Sequence, residues 1–288
     1  MNKNNKGVLL AILAAVLYAI STPVSKLLLR GIPSTMLAGL LYIGAGVGMS
    51  ILALARKSGG KISTEEKLDR SDLPYTIAMI TLDIAAPILL LLGLSTATPE
   101  NVSLLNNFEI VATAVIARLF FGEKISGRVV VAIGLIATAS VILTFEGSDS
   151  LSFSLGSLLV LAAACCWGLE NNCTRKLSSK DPLQIVVVKG ICSGAGSLVI
   201  GLVIGEKIEN LWYIPAALAL GFVAYGLSIF AYVYAQRMIG AARTSAYYAI
   251  APFIGSTLSL VIFQTLPHIS FFVAVIVMAV GSYLASKE

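Results

Sequence analysis

Apolar residues dominate the chain in stretches of about 20 residues, separated by short segments that hold most of the charged side chains. A bilayer core of about 30 Å requires roughly 20 apolar residues for each crossing helix. The pattern predicts an all-α membrane protein with ten transmembrane helices, which we number spans 1 to 10. They cover residues 7–28, 33–55, 73–93, 99–121, 128–146, 155–174, 183–204, 211–235, 244–263 and 269–285.

The two halves of the chain resemble each other. An offset of 149 residues aligns span 1 with span 6, pairing Gly7 with Gly156 and Leu28 with Leu177. Because each half contains an odd number of spans, the second half enters the membrane from the opposite side. The sequence therefore predicts two inverted five-helix repeats, residues 1–146 and 147–288, an arrangement typical of secondary transporters.

Composition and charge agree with a multi-pass membrane protein. The chain is 57% hydrophobic and only 12% charged, with a mean hydropathy of +0.90. Most of its 20 Lys and Arg residues fall in loops on one side of the predicted spans, which the positive-inside rule assigns to the cytoplasm. We expect a protein of the cytoplasmic membrane with both termini in the cytoplasm and no nucleic-acid partner.

The residues needed for catalysis or metal binding are sparse. His268 is the only histidine, and no Ser–His–Asp set or group of metal ligands is apparent. The four cysteines lie within apolar spans without C-x-x-C spacing, which favours a packing role: Cys165, Cys166, Cys173 and Cys192. We expect no enzyme activity, no metal and no cofactor.

Glycine pairs predict where helices approach closely. Gly44-x-x-x-Gly48 lies in span 2, and Gly190-x-x-x-Gly194 lies in span 7. Small residues at this spacing allow the backbones of membrane helices to come into contact. We expect both spans to pack tightly on a neighbour.

Prolines and one polar loop predict interruptions. Pro23, Pro87 and Pro252 fall inside spans, where each removes a backbone hydrogen bond and predicts a kink. Between spans 2 and 3, Ser63 and Glu66 have the spacing of a capping box, which predicts a short helix.

Two carboxylates are predicted at the bilayer centre. Asp83 and Glu109 each lie about ten residues into a span, which is ~15 Å deep by helix rise. Charge at this depth is costly and marks functional sites, and the equal depth favours one shared site. Asn106, Glu109 and Thr113 follow at i, i+3 and i+7, which predicts one polar helix face. Without a basic residue at its depth in span 4, a buried Glu109 can hold a proton, as proton coupling requires.

A second pair of charges lies nearer the cytoplasmic edge. Glu170 in span 6 and Lys189 in span 7 both fall about 8 to 9 Å from that edge, which predicts an ion pair. The pair either neutralises itself structurally or reads a polar substrate group, in which case Asn171 and Asn172 extend the site. The sequence leaves both interpretations open.

Aromatic residues accompany the acids. Tyr18, deep in span 1, and Trp167 in span 6 are placed at equivalent positions of the two halves, while Tyr225 lies in span 8 and Tyr248 near the start of span 9. Such residues either pack in the core or line a cavity. Beside carboxylates, their ring faces suit a cationic or amphipathic substrate.

The end of span 4 carries a family resemblance. Phe121-Gly122-Glu123-Lys124-Ile125-Ser126 closes that span, which follows a run from Ala97 that includes Val102-Ser103-Leu104. With the ten spans and the repeat, the chain resembles the drug/metabolite transporter superfamily, EamA type, over residues 7–285. The resemblance implies two inverted five-helix bundles around a central cavity lined mainly by spans 1, 3, 4, 6, 8 and 9, and export of small metabolites. The Gly-Glu ending is absent from the second half, where an offset of 143 places Thr265-Leu266.

These observations predict a proton-coupled exporter of a small molecule that works by alternating access, with Glu109 as the coupling or charge-reading acid. One alternative is an uptake permease for a zwitterion such as an amino acid, read by Glu170 and Lys189. Another is a membrane-embedded enzyme or a channel. Small residues around Gly134 and Gly281 leave both a monomer and a homodimer open.

Overall fold

A computed structural model describes residues 3–58, 66–122, 126–144, 154–177, 180–239, 244 and 247–285. Within these ranges the chain is helical and contains no β-strand. Six of the described helices are long and apolar enough to cross a membrane, and three more are apolar but shorter. Together with Leu155–Leu177 they occupy the ten predicted spans, so the prediction of an all-α membrane protein is confirmed.

Several spans consist of more than one helical piece, and a π-helical segment lies within span 8. In chain order the helices are Lys3–Ala19 and Ser21–Leu28 (span 1), Ser34–Ser58 (span 2), Leu73–Thr96 (span 3), Pro99–Leu105 and Phe108–Phe121 (span 4), Gly127–Thr144 (span 5), Leu155–Leu177 (span 6), Pro182–Val203 (span 7), Tyr213–Leu220, the π-helix Gly221–Leu227 and Ser228–Ile239 (span 8), Ala251–Phe263 (span 9) and Ile269–Ala285 (span 10).

The spans pack in pairs that the repeat relates. Spans 2 and 7, 5 and 10, and 4 and 9 each pack together, and every member of these pairs is the counterpart of its partner. Span 3 packs on span 6, and the equivalent span 8 packs on span 1. A two-fold relation between inverted repeats requires this pattern. The predicted boundary near residue 146 lies outside the described residues, and the division at that position stays a prediction.

Glycines bring the central spans to backbone contact. Gly190 of span 7 lies against Gly46 of span 2, and Gly44 of span 2 lies against the backbone of Leu218 in span 8. A Cβ atom at any of the three glycines would overlap backbone atoms of the neighbour. The predicted close approach is confirmed, but the two glycine pairs do not face each other, since span 2 presents separate glycine faces to spans 7 and 8.

The predicted proline interruptions are only partly present. Span 1 is interrupted at Ile20, three residues before Pro23, and the helix of span 9 begins at Ala251 with Pro252 in its first turn. The helix of span 3, in contrast, runs through Pro87 without a break, because one lost hydrogen bond does not end a helix held by its neighbours.

Span 4 breaks where no proline predicts it. A turn at Asn106 and Asn107, whose backbone keeps right-handed helical dihedrals, divides the span into two helices, and Pro99–Phe120 as a whole is long and apolar enough to cross a membrane. The 143-residue offset between the halves places these asparagines on Ala249 and Ile250, where span 9 also has a turn before its helix. Both halves therefore interrupt the same span at the same position.

Two loop contacts join the halves at opposite ends of the bundle. Alternating spans bring both ends of the chain to one face, which we call the terminal face. There residues 66–72 pack on residues 180–184, and we call these two segments the terminal clasp. The helix predicted from Ser63 and Glu66 is not seen in the described part, which contains only the short 3-10 turn Arg70–Asp72; Ser63 lies outside it.

The terminal clasp is electrostatic. The Nζ atom of Lys180 lies 3.0 Å from a carboxylate oxygen of Asp69 and 3.4 Å from oxygens of Glu66 and Asp72. Hydrogen bonds from Ser71 and the adjacent Lys180 ammonium hold the pKa of Asp69 well below its usual range, and the same contact raises the pKa of Lys180. Charge attraction at a solvated surface thus links the loop between spans 2 and 3 to the start of span 7.

The opposite face carries the equivalent contact, between the start of span 2 and the loop after span 7. The carboxylate of Glu206 accepts the backbone N–H of Met36 at 2.9 Å, and the carbonyl of Gly31 accepts the N–H of Asn210 at 3.1 Å. Hydrogen bonds to a helix N-terminus, rather than ion pairs, hold this side. We call this set the opposite clasp: Gly31, Thr35, Met36, Glu206, Glu209 and Asn210.

The glycine contacts predict a position-dependent effect of one added methyl group. Gly44→Ala should destabilise the purified protein by about 1–3 kcal/mol, because the new Cβ overlaps the span 8 backbone. Gly134→Ala is the matched control, since no atom lies within 4 Å of its Cβ position, and it should be neutral or stabilising by up to about 1 kcal/mol. Equal unfolding curves in detergent for the two variants would contradict the assignment.

The clasps predict different responses to salt. Lys180→Gln should lower the melting temperature at low ionic strength and have much less effect near 1 M salt, where the Debye length falls to about 3 Å. Glu206→Gln should show a weaker salt dependence, because the Glu206 carboxylate contacts the partial charges of backbone N–H groups and not a full cation. A salt-independent effect of Lys180→Gln would show that ion pairing does not hold the terminal clasp.

Candidate functional site

Lys189 of span 7 lies between two carboxylates contributed by other spans. Its Nζ atom is 3.0 Å from Oδ2 of Asp83 in span 3 and 3.1 Å from Oε1 of Glu170 in span 6. The Asp83 side chain is fully buried, that of Glu170 is 3% exposed and that of Lys189 is 12% exposed. One ammonium thus compensates two buried carboxylates and ties three spans together.

Neutral hydrogen-bond donors complete this cluster. The hydroxyl of Tyr42 in span 2 donates to Oδ1 of Asp83 at 2.9 Å. The Thr174 hydroxyl donates to Glu170. Buried carboxylates that are both ion-paired and hydrogen-bonded hold the helices that carry them in one arrangement. We call Asp83, Glu170, Lys189 and Tyr42 the lysine cluster.

Glu109 lies beside this cluster in a different environment. Its Oε1 atom accepts a hydrogen bond from Nδ2 of Asn171 at 2.6 Å, and the same amide is 3.3 Å from Oγ1 of Thr113. Among the described residues, no Lys or Arg lies within salt-bridge distance of this carboxylate. Gly168 lets span 6 approach the backbone of span 4, which brings Asn171 to Glu109.

Accessibility separates the two acidic sites. Glu109, Thr113 and Asn171 are all partly accessible, although they lie deep among the helices, whereas Asp83 and Glu170 are buried. Partial exposure at depth is the property expected of side chains that line an internal cavity. The Glu109 carboxylate is therefore the acid with a free side for another group.

Tyrosine rings from four spans surround the centre. The ring centroids of Tyr18 and Tyr225 are 5.9 Å apart, as are those of Tyr18 and Tyr248, and Tyr42 lies 5.4 Å from Tyr225. The side chains of Tyr18 and Tyr248 also lie close enough to the Glu109 carboxylate to interact with it electrostatically. The four rings form a continuous aromatic wall next to the partly accessible carboxylate.

The structure agrees with part of the sequence-based site and rearranges the rest. The ion pair between Glu170 and Lys189 is present as expected from their equal depth. Asp83, however, contacts Lys189 and not Glu109, because its side chain points to span 7. The two carboxylates therefore occupy neighbouring sites, which the consecutive residues Glu170 and Asn171 connect.

Two amides also differ from the expectation. Asn106 is buried at the turn between the two helices of span 4, whereas Glu109 and Thr113 contact Asn171. Asn172 donates to the backbone carbonyls of Thr113 and Gly168, at 3.1 and 2.8 Å, and so holds spans 4 and 6 together.

Sequence reasoning missed Tyr42. Its span reads as a glycine-rich packing helix, and the hydroxyl acquires a role only through its contact with Asp83 across the bundle. The single usable signal was its depth, since a tyrosine about eight residues inside an apolar span needs a hydrogen-bond partner. The residues Glu123 to Ile125 of the span 4 ending lie outside the described ranges.

Comparisons with known proteins give a consistent result. The model of a family described as the EamA-like transporter family matches residues 5–145 and again residues 154–287. The chain is 27% identical over 300 residues to an uncharacterized transporter of Methanothermobacter thermautotrophicus, covering 96% of this chain and 85% of the relative. It is 24% identical over 273 residues to the uncharacterized inner membrane transporter YedA of Escherichia coli K12, covering 88% and 83% of the two chains.

A solved crystal structure has the same fold. It superposes with a TM-score of 0.69 at 17% sequence identity and covers 97% of this chain and 95% of its own. At this identity the likeness concerns the fold alone.

The lysine cluster predicts a large effect of removing its one cation. Lys189→Met should destabilise the protein by about 3–5 kcal/mol, because two buried carboxylates lose their compensation. Adding Asp83→Asn to Lys189→Met should recover part of this loss, since a single carboxylate remains. Lys207→Met, on an exposed loop, is the control. If chemical unfolding of Lys189→Met matched that of the control, the cluster would not stabilise the fold.

Proposed function

Since the chain belongs to the EamA-like transporter family, within the drug/metabolite transporter superfamily, it is a multi-pass membrane transporter, and we propose that it is a proton-coupled exporter of a cationic or amphipathic small molecule. Glu109 is the acid that binds either a proton or the positive group of the substrate. Asn171 and Thr113 orient this carboxylate, and Tyr18 and Tyr248 supply ring faces for the rest of the substrate.

The observation that carries the proposal is the contrast between the two acidic sites. Asp83 and Glu170 already share an ammonium group, whereas Glu109 has an amide partner and no described cation within salt-bridge distance. A carboxylate in a low-dielectric site without a cation favours a proton or a positively charged ligand. Aromatic ring faces also attract cations. The aromatic wall and the Glu109 carboxylate therefore both favour a positively charged ligand.

Coupling follows from competition for one carboxylate. A cationic substrate and a proton cannot both neutralise Glu109, so binding of either releases the other. If the site opens alternately to the two faces, a proton that enters from outside displaces the substrate outward, and the protonated carboxyl returns to the cytoplasmic side. Each occupied state compensates the charge of Glu109. The empty state is unfavourable because it leaves this buried carboxylate without a positive partner.

The direction of transport rests on topology and coupling. The basic residues cluster in loops at the terminal face, which supports a cytoplasmic position for both termini in the cell membrane. With protons driven inward, exchange at a single acid moves the substrate outward.

Uptake of a zwitterion is the second candidate, and one observation favours it. The Lys189 side chain keeps 12% of its surface accessible, and it lies in the same connected set of polar residues as Glu109. A zwitterionic amino acid would then place its carboxylate near Lys189 and its ammonium near Glu109. This binding must weaken the existing pairs of Lys189 with Asp83 and Glu170, which makes it less favourable than binding a simple cation.

Reconstituted vesicles test the proposal with three probes: ethidium as an aromatic cation, spermidine as a polyamine and phenylalanine as a zwitterion. We expect an acidic lumen to drive accumulation of a cation. Glu109→Gln should weaken binding of that cation about tenfold to a hundredfold, the loss of one charge-assisted hydrogen bond, and should abolish the dependence on the pH gradient.

The control is Glu209→Gln, which makes the same change on an exposed loop and should transport normally. Full, pH-dependent transport by Glu109→Gln would refute the coupling role. Accumulation of phenylalanine in place of either cation, with loss of activity in Lys189→Met, would favour the zwitterion candidate.

A further inference from the structure

Six spans at the centre of the bundle form two groups. Spans 1, 8 and 9 pack together, and so do spans 3, 4 and 6. The repeat relates the groups, since spans 1, 8 and 9 of one correspond to spans 6, 3 and 4 of the other. Alternating access in inverted repeats moves such groups against each other, so that a path opens at one face while it closes at the other.

On the side toward the opposite face, the two groups are in contact. The helix Ser21–Leu28, which ends span 1, packs on spans 8 and 9 of its own group and also on spans 3 and 4 of the other. The helix Pro99–Leu105 of span 4 packs on span 9. The approach is close, because a Cβ atom at Gly255 of span 9 would lie 3.0 Å from the carbonyl oxygen of Ala19 and from Oγ of Ser103. We call Ser21–Leu28 the plug helix.

The side toward the terminal face is packed differently. Among the described residues, span 6 packs on spans 3 and 4 of its own group and makes no comparable contact with spans 8 and 9. Ser25 of the plug helix and Ser103 are 2% and 1% exposed, whereas Thr113, one turn from Glu109 toward the terminal face, is partly accessible. The path from Glu109 to the opposite face is therefore closed in this structure.

Lys26 ties the plug helix to the other group. Its ammonium donates to backbone carbonyls at the end of span 3, those of Leu94, of Ser95 at 3.2 Å and of Ala97 at 3.0 Å. The last carbonyls of a helix have no partner within it and carry partial negative charge. Each of these charge-assisted hydrogen bonds joins span 1 of one group to span 3 of the other.

Pro23 weakens the connection between the plug helix and the rest of span 1. It has no N–H to donate to the carbonyl of Ala19, so the hydrogen-bond ladder of the span lacks a bond where the plug helix begins. The backbone at Ile20 keeps right-handed helical dihedrals, and the chain is not unwound there. Prolines are the usual points at which helices bend, which lets the plug helix tilt as a unit.

We propose that the plug helix is the gate at the opposite face and that Lys26 is the residue that locks it. Opening toward that face requires the ammonium to leave the carbonyls of span 3, because these bonds cross between the groups that must separate. The inference rests on the alternating opening assumed in the proposed function. It concerns the path to the site and not the chemistry at Glu109.

The repeat assigns the same task to Arg175 at the terminal face. The 149-residue offset places Arg175, near the end of span 6, at the position of Lys26. Because span 6 corresponds to span 1 and span 8 to span 3, Arg175 locks the end of span 6 to the end of span 8 when the terminal face closes. One basic residue in each half thus stabilises one of the two states.

Thiol accessibility in the purified full chain tests the lock without any substrate. The four native cysteines are replaced by alanine, and a single reporter is introduced as Ser103→Cys or Thr113→Cys. The protein in lipid nanodiscs is treated with a charged methanethiosulfonate reagent, which reacts with thiols that water reaches. We expect the Thr113→Cys reporter to react and the Ser103→Cys reporter to be protected.

Lys26→Met should expose the protected reporter. Reaction of Ser103→Cys should become about tenfold to a hundredfold faster, because charge-assisted hydrogen bonds that favour the closed state are lost, while Thr113→Cys should react no faster. Adding Arg175→Met should return the rate toward that of the parent, since both states then lack their lock. Lys26→Arg, which keeps the cation, and Lys207→Met, on an exposed loop at the same face, are the controls and should react like the parent.

Two results would overturn the proposal. Unchanged protection of Ser103→Cys in a folded Lys26→Met protein would show that the lysine does not hold the gate, and faster reaction of both reporters would show that the substitution only loosens the fold. If Lys26→Met does not fold, Lys26→Gln takes its place with the same expected direction. Failure of Arg175→Met to restore protection would refute the role of Arg175. The reaction needs neither substrate nor a pH gradient, so its outcome is independent of proton coupling at Glu109.

Discussion

The structure depends on one constraint, which is that charge inside a hydrocarbon layer must be compensated. Lys189 meets it for Asp83 and Glu170 by contacting both. This contact fixes the rotation of spans 3, 6 and 7 about their axes, because turning any one of them exposes an unpaired ion to an apolar environment. The rotation of span 6 in turn directs Asn171 toward Glu109. The contacts of the lysine cluster therefore determine how the neighbouring Glu109 site is positioned.

The halves share a scaffold and differ in chemistry. Related spans pack as a two-fold relation demands, and spans 4 and 9 even break at equivalent residues. Yet the position of Glu109 is occupied by Pro252 in the second half, and the position of Glu170 by Ser21 in the first. An inverted repeat supplies two equivalent ways to open the bundle, while the charged residues, present in single copy, stay near the centre. Symmetric motion around an asymmetric site is what alternating access needs.

The sequence predicts the features that depend only on depth in the membrane. Span length follows from bilayer thickness, and the pairing of Glu170 with Lys189 follows from equal depth on adjacent helices. The partner of Asp83 depends on the rotation of its helix, so depth alone predicts a site shared with Glu109 and not the observed contact with Lys189. The turn at Asn106 and Asn107 has no proline signal in the sequence, and it lies where span 4 packs on span 9. Tyr42 is recognised only through a contact that spans 41 residues of sequence.

The two clasps give the membrane itself unequal access to the two ends of this scaffold. The terminal clasp joins three carboxylates to Lys180 on the face where most of the basic residues lie. Anionic headgroups attract basic side chains and so compete with the carboxylates of this clasp for them. Glu206, in contrast, keeps its carboxylate on two backbone N–H groups. The headgroup composition of one leaflet therefore changes the free energy needed to separate the terminal clasp more than that of the opposite clasp. Lipids can in this way favour opening of the bundle at one face over opening at the other.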